Sequence, residues 1–521
     1  VGDEAMLEAL VRRLSTLGDY RFTIASAEPH ETAESYGVQA VPRLRFDGLA
    51  GQAGLDRLDS IIDAALGDSS AIGMDDAAWS VIRGVAAADA VVIAGGGNLS
   101  SLWPELILER VAIGRLAGAF NKPLVVSGQT VGPAFTARDG ALVAELLGRA
   151  RFVGVRDDAS VDIVRRLGVP QERIFRTVDD AAFLVPAETE VVEWLPARPY
   201  CLVTFSGHEG AVPFTEIVPA IARLLDHVAD AGGLEIVFLP HEGVDADDTS
   251  GDGAVHRHIA AAMQQPSRAL PILPNGVSAE LARRAALSVS SRYHPAVFAA
   301  SAGVPALAVS VDDYTDHKLS GALGSFGQLE GLFSAISLGL GDVEAGFDRL
   351  WDSRDAVAAQ AVGIAQARRA ENDGWWAHLH AAISGTHDDA TYRWSEREQV
   401  GYLDDELHAR STRLRDSLRL VGAQWVATHI AVRDQVAELS AATAPLAALE
   451  REAGQAVADR ESALARIAEL EVSLKAAQNL ASGVADPIFR RHHRREAAYQ
   501  NLLNSRAARR AYRKLRRIVG R

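Results

Sequence analysis

Short apolar runs that end in glycine or polar residues, each preceded by a helix-like stretch, recur through roughly the first 340 residues of this 521-residue chain. "ADAVVIAGGG", "PLVVSGQ" and "RFVGVRD" are the first set. None of them alternates polar with apolar, which is what a strand covered on both faces requires. Helical segments lie between them: "DEAMLEALVRRL" at the start has apolar residues at helical spacing, while "RFTIAS" reads as a further strand. Strands and helices taken in turn specify a parallel sheet with crossover helices.

The alternation stops at "VPAETEVVEWLPARPY", rich in Pro and Glu, and then restarts. "YCLVTFS", "LEIVFLP", "ALSVSS" and "PALAVS" are the second set of strands, separated by helices such as "FTEIVPAIARLLDHVADAGG". The fold class is therefore α/β, with two Rossmann-like domains over residues 1–190 and 195–345 joined by a linker near Pro186 to Pro196. A cleft between two such domains is the default place for a ligand. Beyond them the text turns to long helix. Residues 346–383 read as helices returning to the body, and "SGTHDDATYRW" separates them from a helical extension over 395–480. Ser395 with Glu398 has the spacing of a capping box and predicts a helix start there, with Pro445 interrupting the helix. From Leu449 to Ala477 apolar positions step by four and three, a heptad seam on which Arg460 also falls. A coiled-coil homodimer and a single helix folded back on the body both fit that seam.

Charge divides the chain. The net formal charge is -15, yet the tail from Arg490 to Arg521 carries twelve Lys/Arg against Glu496 alone, so the tail is +11 and the rest is -26. The basic tail, 486–521, is expected to be helical; it reads either as a solvated charged helix or as a contact with an anionic membrane surface. Nucleic acid is not an expected partner, because the body is acidic and no base-reading motif occurs. No apolar run reaches the roughly 18 residues of a spanning helix. Cys201 is the only cysteine, which excludes an internal disulfide and a thiol-rich metal site and favours a reducing compartment. The expected location is cytoplasmic, with the tail peripheral at the inner face of the membrane.

Ligands of open parallel sheets bind beyond the carboxyl ends of the strands, where helix N-termini present free N–H groups. Three stretches occupy such positions. In "VVIAGGGNLSSLWPE", Gly95, Gly96 and Gly97 allow close backbone approach and Pro104 suits a first helical turn, but Ser100 stands where a dinucleotide fingerprint has glycine and no P-loop Lys-Ser/Thr follows. In "GVRDDAS", Arg156 leaves a strand end and Asp157 is placed to cap the next helix. Gln129 of "SGQTVGP", on the neighbouring strand, could bind a ligand or satisfy loop backbone. The third stretch is "SRYHPAVFAASAGVPALAVS". Pro295 fits a first helical turn, which puts His294 near the N-cap, with Arg292 beside it. An anion at this dipole is expected to meet guanidinium and imidazole together.

Taken in order, "GDEAMLEAL", "GGGNLSSLWPE", "SGQTVGP", "VRDDASVDIVRRLGV", "DDAAFL" and "SSRYHPAVFAASAGVPALAVSVDDYTDHKLSGAL" resemble the polysaccharide pyruvyl transferase family over roughly Val1 to Leu340. The resemblance implies a GT-B-like arrangement of the two domains, and transfer of pyruvate from phosphoenolpyruvate onto two hydroxyls of a sugar as a cyclic ketal. It places Arg156 and Arg292 on the donor's phosphate and carboxylate, makes His294 the general acid, and adds Lys318 of "DYTDHKLSG" to the phosphate. Gly96, Gly97, Asn98 and Gln129 belong to the same donor-binding set, while Asp180 matches a family aspartate to which no role is given. The chain begins inside the family's first motif, so the strand that normally precedes "GDEA" is expected to be missing from its first domain. The chemistry suits these residue types. Arginine forks bind both anionic groups bidentately, and a histidine, with an ordinary pKa of ~6.5, can pass a proton to the methylene carbon as a hydroxyl attacks. No step demands a metal or a cofactor beyond phosphoenolpyruvate as co-substrate. The acceptor would be a glycan or its lipid-linked precursor. A nucleotide-sugar glycosyltransferase on the same architecture, and a non-catalytic scaffold acting through the helical extension, are the competing readings.

Overall fold

The computed structural model describes residues 2–452 except 50, 186–190, 209, 211, 244–250 and 386–391, together with residues 466, 468–469 and 471–473. The chain forms two compact units, and the first, Val1–His208 with Phe214–Ala423, holds both main sheets. It opens with α1 (Gly2–Leu17), then β1 (Thr23–Ser26), α2 (Pro29–Tyr36) and β2 (Gln39–Pro42), a small parallel pair with its crossover. After α3 (Gly51–Ala65) and α4 (Ala78–Ala87) comes the first main sheet. It is built from β3 (Val91–Ile93), β4 (Gly96–Leu99), α5 (Pro104–Ala119), β5 (Leu124–Val131), α6 (Ala137–Arg149), β6 (Phe152–Val155), α7 (Asp158–Arg166) and β7 (Ile174–Arg176). All its strands are parallel, in the order β3-β5-β6-β7, with β4 also paired to β5.

The second sheet takes β8 (Tyr200–Thr204), α8 (Phe214–Gly232), β9 (Glu235–Phe238), α9 (Gly251–Ala262), β10 (Ser267–Ala269), α10 (Asn275–Arg284), β11 (Leu287–Ser290), α11 (Tyr293–Ala300), β12 (Ala306–Ser310), α12 (Asp313–Ser325) and β13 (Leu332–Ser334). Its order is β10-β9-β8-β11-β12-β13, again wholly parallel. The order reverses between β8 and β11, and the crevice beyond such a reversal is where an open sheet takes a ligand. The central strands β5, β8, β11 and β12 are buried along their whole length, which explains their unbroken apolar text.

Three helices complete the described chain: α13 (Ala335–Leu340), α14 (Asp342–Ser384) and α15 (Asp405–Glu452). Residues 342–384 are one 43-residue helix. Its end lies on the first sheet, where Trp375, Trp376 and Leu379 are buried with Val125 of β5. In the opposite sense, Ala5, Met6 and Ala9 of α1 are buried in the core of the second domain with Val277, Leu281 and Val297. Each domain thus closes its apolar surface with a helix from the far end of the other's sequence. Two expectations about the extension are corrected. Ser395 and Glu398 do not start a helix; Asp404 does, its carboxylate accepting from the Leu407 amide at 2.9 Å. Pro445 does not end the helix either, since α15 runs through it to Glu452. A proline removes one backbone hydrogen bond and bends a helix, and a helix this long survives the loss. Most of the heptad seam and the whole basic tail lie outside the described residues. No described helix is long and apolar enough to cross a membrane.

Candidate functional site

The carboxyl ends of the two sheets meet, and the residues that follow β3, β6, β7, β11 and β12 form one polar cluster. Arg156 follows β6 directly and is only 1% exposed. Its Nε donates to Thr130 Oγ1 at 3.0 Å and its Nη1 to Asp179 Oδ2 at 2.6 Å. The guanidinium lies 4.1 Å from the centre of the Tyr293 ring, which comes from the second domain. Burial opposes its charge, but the neighbouring Tyr293 and Asp179 outweigh burial, so its pKa rises and it stays a cation.

His294 is the second residue of α11, and the helix starts earlier than Pro295 suggests: Arg292 is its N-cap and Tyr293 its first residue. The imidazole is buried, its Nε2 3.7 Å from Asp179 Oδ2 and without a hydrogen-bond partner. Burial, followed by the charges of Arg156 and Lys318, holds its pKa well below the ordinary value, so the ring is neutral. Lys318, on α12, donates to Tyr314 Oη at 3.0 Å, and that hydroxyl donates to the Gly97 carbonyl at 2.5 Å. Burial, then Arg156, pushes the Lys318 amine down to about 7.

Gly97 is where the two cations converge. A β-carbon there would lie 2.9 Å from both Arg156 Nη2 and Lys318 Nζ, so only glycine leaves room for them. Beside it, Gln129 Nε2 donates to the Ala94 carbonyl at 2.5 Å, while Gln129 Oε1 and Asn98 Oδ1 are buried without partners. Orphaned buried polar atoms are uncommon, and here four of them, counting His294 Nε2 and Asp180 Oδ2, belong to one small region. The strand beneath is shaped for the purpose. β5 is bulged between Val126 and Gln129, with Gly128 at φ +54°, and a β-carbon at Gly128 would strike the Asp180 carboxylate at 2.7 Å. Asp180 accepts from Ser127 Oγ at 3.0 Å, and burial with the nearby Asp179 pushes its carboxyl up to about 7.

The structure brings Arg156, His294, Lys318, Gly96, Gly97, Asn98 and Gln129 into this cluster and separates Arg292 from it. Arg292 Nη2 pairs with Asp252 Oδ1 at 2.6 Å, and also with Glu242. The expectation that one anion would meet guanidinium and imidazole together is corrected for a geometric reason. Arg292 is the extended N-cap, and its guanidinium is held by the Asp252 and Glu242 carboxylates, whereas His294, in the first turn, lies against Asp179. Sequence reasoning missed Asp179, the carboxylate that Arg156 and His294 share, as well as Tyr293 and Tyr314. Asp179 has a readable signal: the "DD" doublet lies just beyond the end of β7. A further cavity of about 240 Å³ lies past α12, lined by Asp157, Arg176, His317, Arg368, Trp394 and Arg419. Its cations are already paired: Arg176 with Asp158, Arg368 with Glu371, Arg419 with Asp316, and His317 with Asp157 at 2.8 Å.

Two parallel sheets that meet at their carboxyl ends around a cation-bearing polar cluster define a protein of the GT-B-like class. Residues 1–313 match the model of the polysaccharide pyruvyl transferases, and the chain belongs to that family. No curated protein sequence matches it. Among solved structures it is similar to a UDP-GlcNAc 2-epimerase from Neisseria meningitidis bound to UDP-GlcNAc, at 11% identity and a TM-score of 0.47 over 71% of this chain and 96% of that one. It is also similar to HepE from Anabaena in complex with UDP-glucose, at 14% identity and a TM-score of 0.46 over 74% and 97%. The calicheamicin glycosyltransferase CalG4 is a third, at 15% identity and a TM-score of 0.43 over 73% of this chain and 94% of that one.

Proposed function

We propose that this chain transfers pyruvate from phosphoenolpyruvate onto two hydroxyls of one sugar in a cell-surface glycan or its lipid-linked precursor, forming a ketal and releasing phosphate. One observation carries the reading beyond family membership: Arg156 Nη2 and Lys318 Nζ reach the same point beside the Gly97 backbone, next to a buried imidazole. Phosphoenolpyruvate presents a phosphate and a carboxylate, and a site for it needs fixed cations that have not been neutralised one for one. Arg156 is paired with Asp179, but among the described residues Lys318 has no carboxylate partner. Asn98 and Gln129 offer further polar contact. Arg292 would reach the donor only after leaving Asp252 and Glu242.

The reaction needs no outside activation, because the enol phosphate is already a high-energy group. The site has to hold two anionic groups, bring a hydroxyl to C2 and move protons, and no metal or cofactor enters the proposal. The acceptor side is taken to be a glycan, and the basic tail a contact with the inner, anionic face of the membrane where lipid-linked glycans are assembled in the cytoplasm. Mass spectrometry of the cell-surface glycan tests the reading in the cell. An acid-labile pyruvate ketal should be present with the intact gene, and absent after deletion and in Arg156→Ala. A glycan that keeps the ketal in the deletion strain would overturn it.

A further inference from the structure

We propose, resting on the transferase reading, that Arg415 and Arg419 of α15 are positioning residues for the donor site: by gripping Asp316 they set where α12 lies, and so where the Lys318 amine meets Gly97. The helical extension then belongs to a donor site that it does not itself touch.

The faces of α12 do different things. Tyr314 and Lys318, four residues apart, share one face, on which the Lys318 amine donates to the Tyr314 hydroxyl at 3.0 Å and that hydroxyl to the Gly97 carbonyl at 2.5 Å. Asp316 is two residues from each, about 200° around the helix, and so leaves from the other side. Its side chain is wholly buried. Arg415 Nε donates to Oδ1 at 2.8 Å, Arg419 Nε to Oδ2 at 2.5 Å, and Ser310 Oγ, at the end of β12, to Oδ1 at 3.1 Å. Next along the helix, His317 Nε2 lies 2.8 Å from Oδ1 of Asp157, the N-cap of α7. Thr130 Oγ1 donates to the other oxygen of that carboxylate at 2.9 Å and accepts from Arg156 Nε at 3.0 Å. α12 is therefore held between α15 and the strand end that carries Arg156, and its remaining face delivers the amine.

The α15 backbone takes part. A β-carbon at Gly422 would lie 2.5 Å from the Asp313 amide nitrogen, so α15 meets the first turn of α12 through a residue with no side chain. That closeness fixes a distance, and two guanidinium groups on one carboxylate fix a direction. Stability alone does not call for the arrangement. Apolar side chains of similar volume hold two helices together at least as well as a buried ion pair, whose desolvation offsets much of its attraction. What Asp316 adds is a single preferred position, because sliding α12 along α15 leaves a buried charge unpaired. The donor site needs that precision: moving a substrate contact by about 1 Å can cost about a hundredfold in rate.

The test measures phosphate release from phosphoenolpyruvate with a glycan acceptor, using the full chain and three variants. Arg415→Ala/Arg419→Ala removes the grip. Asp316→Asn weakens it but keeps a buried group that can hydrogen-bond, which covers the case in which the first variant does not fold. Arg410→Ala is the control, since it breaks another ion pair of α15, to Asp342 of α14 at 2.7 Å. A helix that merely stabilises the fold changes the amount of active protein, which lowers kcat and leaves KM alone. The proposal predicts that KM for phosphoenolpyruvate rises about 10- to 100-fold in Arg415→Ala/Arg419→Ala and at least about threefold in Asp316→Asn. KM for the acceptor should stay within about threefold in both, and Arg410→Ala should keep both constants. A KM for phosphoenolpyruvate at the wild-type value in whichever of the two variants folds, or an equal rise in Arg410→Ala, overturns the proposal. A wild-type protein that releases no phosphate overturns the transferase reading itself, which keeps the two failures distinguishable.

Discussion

Gly97 is the position at which the site is most easily damaged without harming the fold. Its φ is not positive, so alanine suits the backbone, but the added carbon would displace two cations from 2.9 Å. Gly97→Ala should lower kcat/KM for phosphoenolpyruvate about a hundredfold, the scale of a 1 Å misplacement, while the unfolding midpoint in denaturant hardly moves. Arg156→Leu should do both kinds of harm. It leaves Asp179 buried and unpaired, which costs about 3–5 kcal/mol of stability by chemical denaturation, besides abolishing turnover. Lys318 gives a test of opposite sign. Its amine titrates at about 7 in the folded chain against an ordinary 10.5, so between those values the unfolded chain binds more protons and stability rises with pH. Lys318→Met should raise Tm most below pH 7, with the gain fading as the pH approaches 10. At this scale the sequence was readable where a side chain simply leaves a strand end, as with Arg156 and Asp157. It was not readable where direction decides the outcome. Arg292 is drawn away from His294 by the Asp252 and Glu242 carboxylates, and Asp179 rather than Asp180 faces the cluster because Asp180 turns under the Gly128 bulge.

Among the elements, the end of α14 has the clearest energetic role. Trp375 is wholly buried, a β-carbon at Gly154 of β6 would strike it at 2.6 Å, and its Nε1 donates to Ser127 Oγ, which in turn donates to Asp180. Trp375→Ala should cost about 3–5 kcal/mol in denaturant unfolding, as for other large core truncations. The main strands are plain in the text because they are continuous apolar runs. Strands β7, β10 and β13 have three residues like β3 but lack its longer apolar run into glycines, so they leave no pattern and take their conformation from the neighbouring strand. The helix start after residue 400 was misplaced for a related reason. The Ser395 and Glu398 spacing is a local signal, but Arg368 and Gln328's neighbourhood instead hold this segment extended: Arg368 Nη1 donates to the Ser395 carbonyl at 2.8 Å and the Val400 amide to Gly327 at 2.7 Å.

For the molecule as a whole, α1 completes the second domain's core and α14 covers the first sheet, so the two domains are tied by exchanged helices as well as by the linker. The two-domain parallel architecture followed from the alternation of strands and helices alone, whereas this exchange did not, because nothing in an amphipathic stretch says which sheet it will cover. The exchange brings Met6 of α1 to Arg156, with Nη1 3.2 Å from the sulfur, and sets the site between the strand ends of both sheets. The central claim is that this polar cluster handles an enol phosphate. Purified protein given phosphoenolpyruvate, a sugar nucleotide and a glycan acceptor together measures it directly. The account predicts inorganic phosphate released in step with a pyruvate ketal on the acceptor; nucleoside diphosphate released with a new glycosidic bond, and no phosphate from phosphoenolpyruvate, would contradict it.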